Sequence, residues 1–365
     1  MTAPKRWMIY GVTGYTGKLT VEEAVRRGHR PIIAGRSAEK VQKLAEKHGL
    51  EARIFDLADP AAVRRALTDV ALVLHCAGPF SATSKPMLDA CLETKTHYLD
   101  ITGEIDVFAA CHARDAEARR AGIVVLPGSG FDVVPTDCVA AMLKRALPDA
   151  TELVLAFEAG GGPSAGTAKS GIEGLGKGGR ARRGGKMVPV PLAWKDRTFT
   201  RDGKARTAMT IPWGDVFTAH ISTGIPDIEV YMAVPPASIG RVRRLRLFRP
   251  LLGLGPVQRF MKARVEAKVK GPSIAKRTAT DSYVWGEARN AAGREVKIEL
   301  VTPNGYDLTV TASLGIAEHL LGRSDVPGGY YTPSLLLGAD YVLTLPDTRL
   351  VRAPDGAAPG VTARA

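Results

Sequence analysis

Short apolar runs alternate with amphipathic stretches through the first 130 residues. The runs at 6–10 (RWMIY), 31–35 (PIIAG), 51–56 (EARIFD), 70–76 (VALVLHC), 97–101 and 123–127 read as strands. The stretches 18–27, 37–48, 60–68, 84–93 and 105–121 read as helices. The apolar runs lack period-two alternation, as expected of strands covered on both faces. Strands alternating with helices of this length build right-handed βαβ units and a parallel, doubly wound sheet.

The pattern changes after about residue 150. Residues 160–186 are rich in Gly, Lys and Arg and read as a long loop or lid. Residues 205–235 and 280–315 carry β-branched and aromatic runs punctuated by Gly and Pro, which predict a second α/β domain on a mixed sheet. The expected organisation is a first domain over 1–135 and a second over 136–330, with a basic insertion at 241–270. A helix within 331–350 then returns to the first domain, and an Ala/Gly/Pro/Arg-rich disordered tail follows over 351–365.

The chain has 365 residues, 45% hydrophobic and 24% charged, ordinary values for a globular protein of two or three domains. Its four cysteines, Cys76, Cys91, Cys111 and Cys138, contain no C-x-x-C pair, so zinc-ribbon and redox-motif readings have no support. Reduced thiols, no membrane span and no signal peptide point to a cytoplasmic location. The net charge of +13 is uneven: residues 177–206 and 241–270 each hold ten Lys/Arg and together carry +17. Such local basicity suits an anionic partner.

Gly11-x-x-Gly14-x-x-Gly17 directly follows a predicted strand and opens a helix. Glycines there let the backbone turn tightly and approach a pyrophosphate, and the helix N-terminus offers free N–H groups. Thr13, Tyr15 and Thr16 line this turn. The second strand ends Ala34-Gly35-Arg36-Ser37, with Lys40 beyond, where NAD-specific sites usually carry a carboxylate. A guanidinium there pairs with a 2′-phosphate, which favours NADP; an ordinary solvated arginine is the alternative. Asp56, ending the third strand, is placed either to meet the adenine edge or to cap the next helix. The fourth strand ends Cys76-Ala77-Gly78-Pro79-Phe80, at the switch point where ligands bind in such sheets.

These residues resemble the saccharopine dehydrogenase-like oxidoreductase family. The resemblance rests on Gly11–Gly17 with Tyr15, on Cys76–Phe80, on Tyr98-Leu99-Asp100-Ile101-Thr102-Gly103-Glu104 and on Gly130-Phe131-Asp132-Val133-Val134-Pro135-Thr136-Asp137. The middle section is most similar to the trans-acting enoyl reductases, through Gly162-Pro163-Ser164-x-Gly166-Thr167, Ile211–Asp215 and Ser222–Tyr231. The resemblance implies a Rossmann domain, with a second α/β domain supplying the substrate cleft. It also implies reduction of a carbon–carbon double bond in an acyl chain held on a carrier protein.

Enoyl reduction needs a donor for the enolate oxygen and a proton for the α-carbon. None of the nine tyrosines has a lysine four residues later, so the Tyr-x-x-x-Lys pair of short-chain dehydrogenases is missing. Asp100, Glu104, Asp132 and Asp137 cluster at predicted strand ends, where a doubly wound sheet keeps its site. Asp132 is the first candidate for positioning substrate or relaying a proton, with Asp137 second. Both flank Pro135 and equally suit organising the start of the following helix. Tyr98 is a candidate oxyanion donor, or core packing. His75 and His97 flank strands without a partner pattern, and no metal-ligand spacing occurs.

Trp194, Trp213, Trp285 and Tyr231 read as core or as the wall of an apolar acyl tunnel. In the 241–270 insertion, arginines alternate with Leu, Phe and Met. An anionic membrane surface or an acidic carrier protein suits it; no nucleic-acid-binding motif accompanies it. Two other functions stay open: an imine reductase acting on an amino acid, and a nucleotide-binding protein without turnover that meets a membrane or partner.

Overall fold

The computed structural model describes residues 5–201 and 203–353, and these form two compact units. The first opens with β1 (Trp7–Tyr10), α1 (Tyr15–Arg26), β2 (Ile32–Gly35), α2 (Ala38–His48), β3 (Ala52–Ile54) and α3 (Pro60–Leu67). It continues with β4 (Leu72–His75), α4 (Phe80–Thr94), β5 (His97–Asp100), α5 (Ile105–His112), α6 (Asp115–Ala121) and β6 (Val124–Leu126). The apolar runs at the centre of the sheet are covered on both faces, and every residue of β1, β2, β4 and β6 is buried.

Two helices replace the single one expected over 105–121. Arg114 stands at the break, where its guanidinium reaches back to Asp89 of α4 over 2.6 Å. Helix α4 also begins earlier than the sequence pattern suggests. Glu104, 24 residues further on, accepts the backbone N–H groups of Phe80 (3.0 Å) and Ser81 (2.8 Å). A cap supplied from so far along the chain leaves no local signal.

The second unit contains α7 (Val134–Ala146), β7 (Ala150–Glu158), α8 (Ala165–Lys177), β8 (Gly179–Arg183), β9 (Lys186–Val190), β10 (Asp196–Arg201), β11 (Lys204–Thr210), α9 (Asp215–Thr223) and β12 (Asp227–Ala233). Then come α10 (Pro236–Leu245), a 3₁₀ turn, α11 (Arg249–Leu252), α12 (Gly255–Lys268), α13 (Ile274–Thr278), β13 (Ser282–Asn290) and β14 (Glu295–Thr302). The expected loop over 160–186 is therefore mostly helix and strand. Ser164 caps α8 by accepting the Thr167 N–H over 3.3 Å, and Gln258 of α12 donates to the Ile172 carbonyl over 3.0 Å. A Cβ on Gly176 would lie 2.7 Å from the Gly253 Cα, so its glycine permits close helix approach rather than disorder.

Next, α14 (Gly305–Gly322) occupies the end of the segment expected to be strand. Its β-branched residues favour a strand locally, but Leu308, Ala312, Ile316 and Leu320 are all buried at helical spacing, and burial overrides propensity. With β15 (Gly329–Tyr330), residues 306–333 belong to the first unit, which otherwise ends at Asp132 rather than at 135. They do not belong to the second unit as the sequence reading had them. The first sheet is wholly parallel, in the order β15-β6-β5-β4-β1-β2-β3. Its strand order reverses between β1 and β4, so this is a doubly wound Rossmann-like sheet.

From Ser334 onward the chain lies in the second unit, correcting the expected helix that returns to the first. In place of that helix stand α15 (Pro333–Leu337) and a 3₁₀ turn at Tyr341–Thr344. Asp137 accepts the Ser334 N–H over 2.7 Å and Arg145 pairs with Asp340 over 2.7 Å, which holds this segment to α7. Strand β16 (Arg349–Arg352) pairs with β14, so residues 351 and 352 are not tail; 354–365 lie outside the described residues. The second sheet is mixed, β10-β11-β12-β7-β13-β14-β16, with α7 and α9 packed against it. A buried cluster of Tyr231, Tyr283, Trp285 and Val301 also lies on this sheet, with Phe199 against it.

Candidate dinucleotide site

In the first unit, the β1–α1 turn is built by close backbone approach. Gly11 has φ of +88°, and a Cβ there would sit 2.7 Å from the Ala77 nitrogen. A Cβ on Gly17 would collide with the Gly11 carbonyl oxygen and lie 2.9 Å from the Val12 Cα. The turn is joined to β2 by the Gly11 N–H donating to the Ala34 carbonyl over 2.8 Å. Gly14 precedes α1 in extended conformation and no side chain caps the helix there. The N–H groups of this first turn are therefore presented as an anion site requires. Thr13, Tyr15 and Thr16 are partly exposed along it, and Tyr15 packs edge-on against Tyr306 at 4.9 Å.

Arg36 and Lys40 are exposed and make no ion pair among the described residues. Ser37 stands at the N-terminus of α2 without giving its side chain to a cap. Asp56 is exposed and accepts the Ala58 N–H over 2.9 Å. The cap of α3 falls on Asp59 instead, which accepts from Ala61 and Ala62 and removes the capping alternative for Asp56. Cys76 is buried with its thiol pushed up to about 12 by desolvation, so it stays protonated. Ala77, Gly78 and Pro79 then form the turn into α4, with the Thr83 hydroxyl donating to the Ala77 carbonyl over 2.7 Å.

His75 ends β4, fully buried beside the rings of Tyr10 (5.5 Å), Phe80 (5.3 Å) and Tyr98 (6.4 Å). Desolvation lowers its pKa to about 3, so the imidazole is neutral at physiological pH. His97 accepts the Val124 N–H at Nδ1 over 2.9 Å and braces β5 against β6.

The acidic candidates separate sharply. Tyr98 donates its hydroxyl to Asp100 over 2.6 Å, and both are fully buried. Burial and the adjacent carboxylate hold the phenol well above its ordinary pKa. Tyr98 is thus a core donor to Asp100 rather than an oxyanion donor. Asp100 also accepts from Thr102 (3.0 Å) and Gly128 (2.9 Å), and the Ser129 N–H and hydroxyl both reach its carbonyl at 2.7 Å. Burial raises its carboxyl to about 6, against the lowering effect of these donors. Asp137 is likewise structural. Within the second unit its carboxylate accepts from Ser222 and Ser334, tying α7 to α9 and α15.

Asp132 differs. Its carboxyl lies against Gly103, where a Cβ would come within 2.8 Å of its Oδ2. Burial, reinforced by the nearby Glu104 charge, pushes it up to about 7. The adjoining Phe131 N–H is held by the Thr309 hydroxyl over 3.0 Å. Thr309 was not legible from sequence, because it is 178 residues away and lies on a helix read as strand. Among the described residues no group of three or more His, Cys, Asp or Glu can hold a metal ion.

The four aromatic residues of the second unit do not form one wall. Tyr231 and Trp285 lie in the buried cluster, Trp194 sits beneath Arg183 (5.3 Å) and Lys195 (4.5 Å), and Trp213 packs on Phe157 at 5.1 Å.

Fold and site together define a dinucleotide-binding α/β domain followed by a mixed-sheet domain. Residues 7–126 match the model of the saccharopine dehydrogenase NADP binding domain family. Over 218 residues the chain is 29% identical to a saccharopine dehydrogenase-like oxidoreductase of Rattus norvegicus, covering 52% of this chain and 51% of that protein. It is 31% identical over 156 residues to the trans-acting enoyl reductase of Mycobacterium leprae, covering 40% of this chain and 37% of that one. The chain thus spans about half the length of the first of these relatives. Apo saccharopine dehydrogenase (L-Glu forming) from Saccharomyces cerevisiae superposes with a TM-score of 0.65 at 13% identity, covering 95% of this chain and 100% of that one. Homospermidine synthase from Legionella pneumophila, in complex with NAD, gives 0.60 at 12% identity, covering 92% and 88%. At such identities these likenesses establish the fold.

Proposed function

We propose that the protein is an NADP-dependent oxidoreductase that reduces the carbon–carbon double bond of an enoyl, acyl-type substrate. The observation that carries the cofactor half is the pair of uncommitted cations, Arg36 and Lys40, beside Ser37 at the start of α2. They suit a 2′-phosphate, while the Gly11–Gly17 turn and the uncapped start of α1 suit the pyrophosphate. When bound, the reduced nicotinamide supplies the hydride.

The chain's own contribution is binding, orientation and a proton. Glu104 holds the first turn of α4, which keeps Ala77–Pro79 in place at the switch point. Asp132 keeps a proton on its carboxyl in the neutral range, which suits delivery to the α-carbon of a reduced acyl group. The enoyl class is supported by the similarity to the Mycobacterium leprae enoyl reductase.

The test is a fluorescence titration with NADPH and NADH, followed by NADPH consumption with enoyl thioesters, free and on carrier protein. Preferential NADPH binding with turnover supports the reading. Turnover with an imine of an amino acid instead would replace the substrate class, and binding of neither nucleotide would overturn the redox function.

A further inference from the structure

We propose that the helical segment from Pro236 to Lys270, on the second unit, docks the protein onto an anionic lipid surface. This goes beyond the redox chemistry and does not depend on its substrate.

The first observation is apolar exposure. Six of the nine most exposed large apolar side chains among the described residues fall between 247 and 274. Leu247 is 80% exposed, Phe248 54%, Leu251 55%, Leu254 51% and Phe260 62%. Helix α10 buries only Ile239, and α11 and α12 bury nothing. Leu247, Phe248, Leu251 and Leu254 crowd into eight residues, spanning the 3₁₀ turn, α11 and the residue before α12. Leaving these side chains in water is unfavourable unless another phase covers them.

The second observation is the sign of the surrounding charge. Arg241, Arg244, Arg259, Arg264, Lys268 and Lys270 are exposed and make no ion pair among the described residues. The carboxylates nearby are engaged with α8: Glu266 pairs with Lys169, and Glu173 of α8 pairs with Lys262. The unpaired charge of the segment is therefore all positive. Arg264 lies over the Phe260 ring at 5.8 Å, so a cation and an apolar anchor share one place.

Exposed apolar side chains and unpaired cations on one segment match the boundary between acidic headgroups and acyl chains. Long arginine side chains reach headgroups while their stems stay with the apolar anchors. An acidic protein would satisfy the charges but leaves Leu247, Phe248 and Leu251 without a role. No helix among the described residues is long and apolar enough to cross a membrane, so the contact lies on the surface.

The test is sedimentation of the whole chain with phosphatidylcholine vesicles, with and without 30% phosphatidylserine. Three proteins are compared: wild type, Leu247→Ser/Phe248→Ser/Leu251→Ser, and Arg241→Glu/Arg244→Glu. Wild type is expected to pellet only with phosphatidylserine, and each variant to bind at least tenfold more weakly with an unchanged melting curve. No pelleting by wild type at low salt overturns the proposal. So does a triple variant that binds as wild type does, which would leave a purely ionic surface suited to an acidic protein. If either multiple variant fails to fold, Phe248→Trp decides. Its added emission should shift to the blue and be quenched by brominated acyl chains in anionic vesicles; an unshifted, unquenched signal overturns the proposal.

Discussion

The Glu104 carboxylate accepts the Phe80 backbone N–H over 3.0 Å, so a residue just beyond β5 sets the start of the helix that follows β4. Its other oxygen takes the Ser81 N–H. Removing both acceptors in Glu104→Ala should lower stability by about 1–2 kcal/mol, the usual loss on deleting a helix cap. Glu104→Gln keeps one acceptor and should lose less. Urea unfolding at pH 7 checks both, and an unchanged midpoint for Glu104→Ala would show that the cap does not hold α4.

Tyr98→Phe tests the assignment of that tyrosine to the core. The change withdraws a 2.6 Å donor from buried Asp100. Stability at pH 7 should fall by about 1–3 kcal/mol. Turnover per folded molecule should stay within a few-fold of wild type. A loss of turnover of a hundredfold or more at unchanged stability would restore Tyr98 as an oxyanion donor.

Asp132 makes a prediction in pH. Its folded carboxyl titrates near 7, against roughly 4 for an unfolded aspartate. Between those values the folded state binds the extra proton, so stability falls as pH rises through this window and levels off above it. Asp132→Asn should be free of that contribution. Unfolding midpoints of the two proteins, compared from pH 4.5 to pH 8, should therefore converge toward acid and separate toward neutral. Parallel curves would remove the raised carboxyl.

For Arg36, the expected outcome is selectivity rather than general loss. Arg36→Ala should weaken NADPH by roughly 10–100-fold, the range for losing charge-assisted hydrogen bonds, with NADH altered little. Equal weakening of both nucleotides would mean that Arg36 does not meet the 2′-phosphate.

Asp137 separates fold from chemistry in the second unit. Asp137→Ala withdraws an acceptor from the Ser334 N–H and the Ser222 hydroxyl. It should destabilise by about 2 kcal/mol or more while leaving NADPH affinity unchanged. A selective loss of turnover without destabilisation would return it to the catalytic candidates.

The parallel sheet and its nucleotide turn are legible in the sequence because their signals are local. Buried strands read as short apolar runs, and Gly17 stands where its backbone meets that of Gly11 within one βαβ unit. Arg36 at the end of β2 follows from the same local logic. What only tertiary structure decided depends on partners far along the chain. Asp100 and Asp132 have the same side chain, yet the donors Tyr98, Thr102 and Gly128 restrain the rise of the first to about 6, while burial and the Glu104 charge push the second to about 7. Helix α8 was hidden by its own glycines, one of which, Gly176, permits close contact with Gly253 at the end of α11. Helix α14 was hidden by β-branched residues whose burial on many sides outweighs their local preference. Local backbone geometry is written in neighbouring residues, whereas the ionisation of a carboxylate and the burial of a helix are set by atoms that only folding brings near.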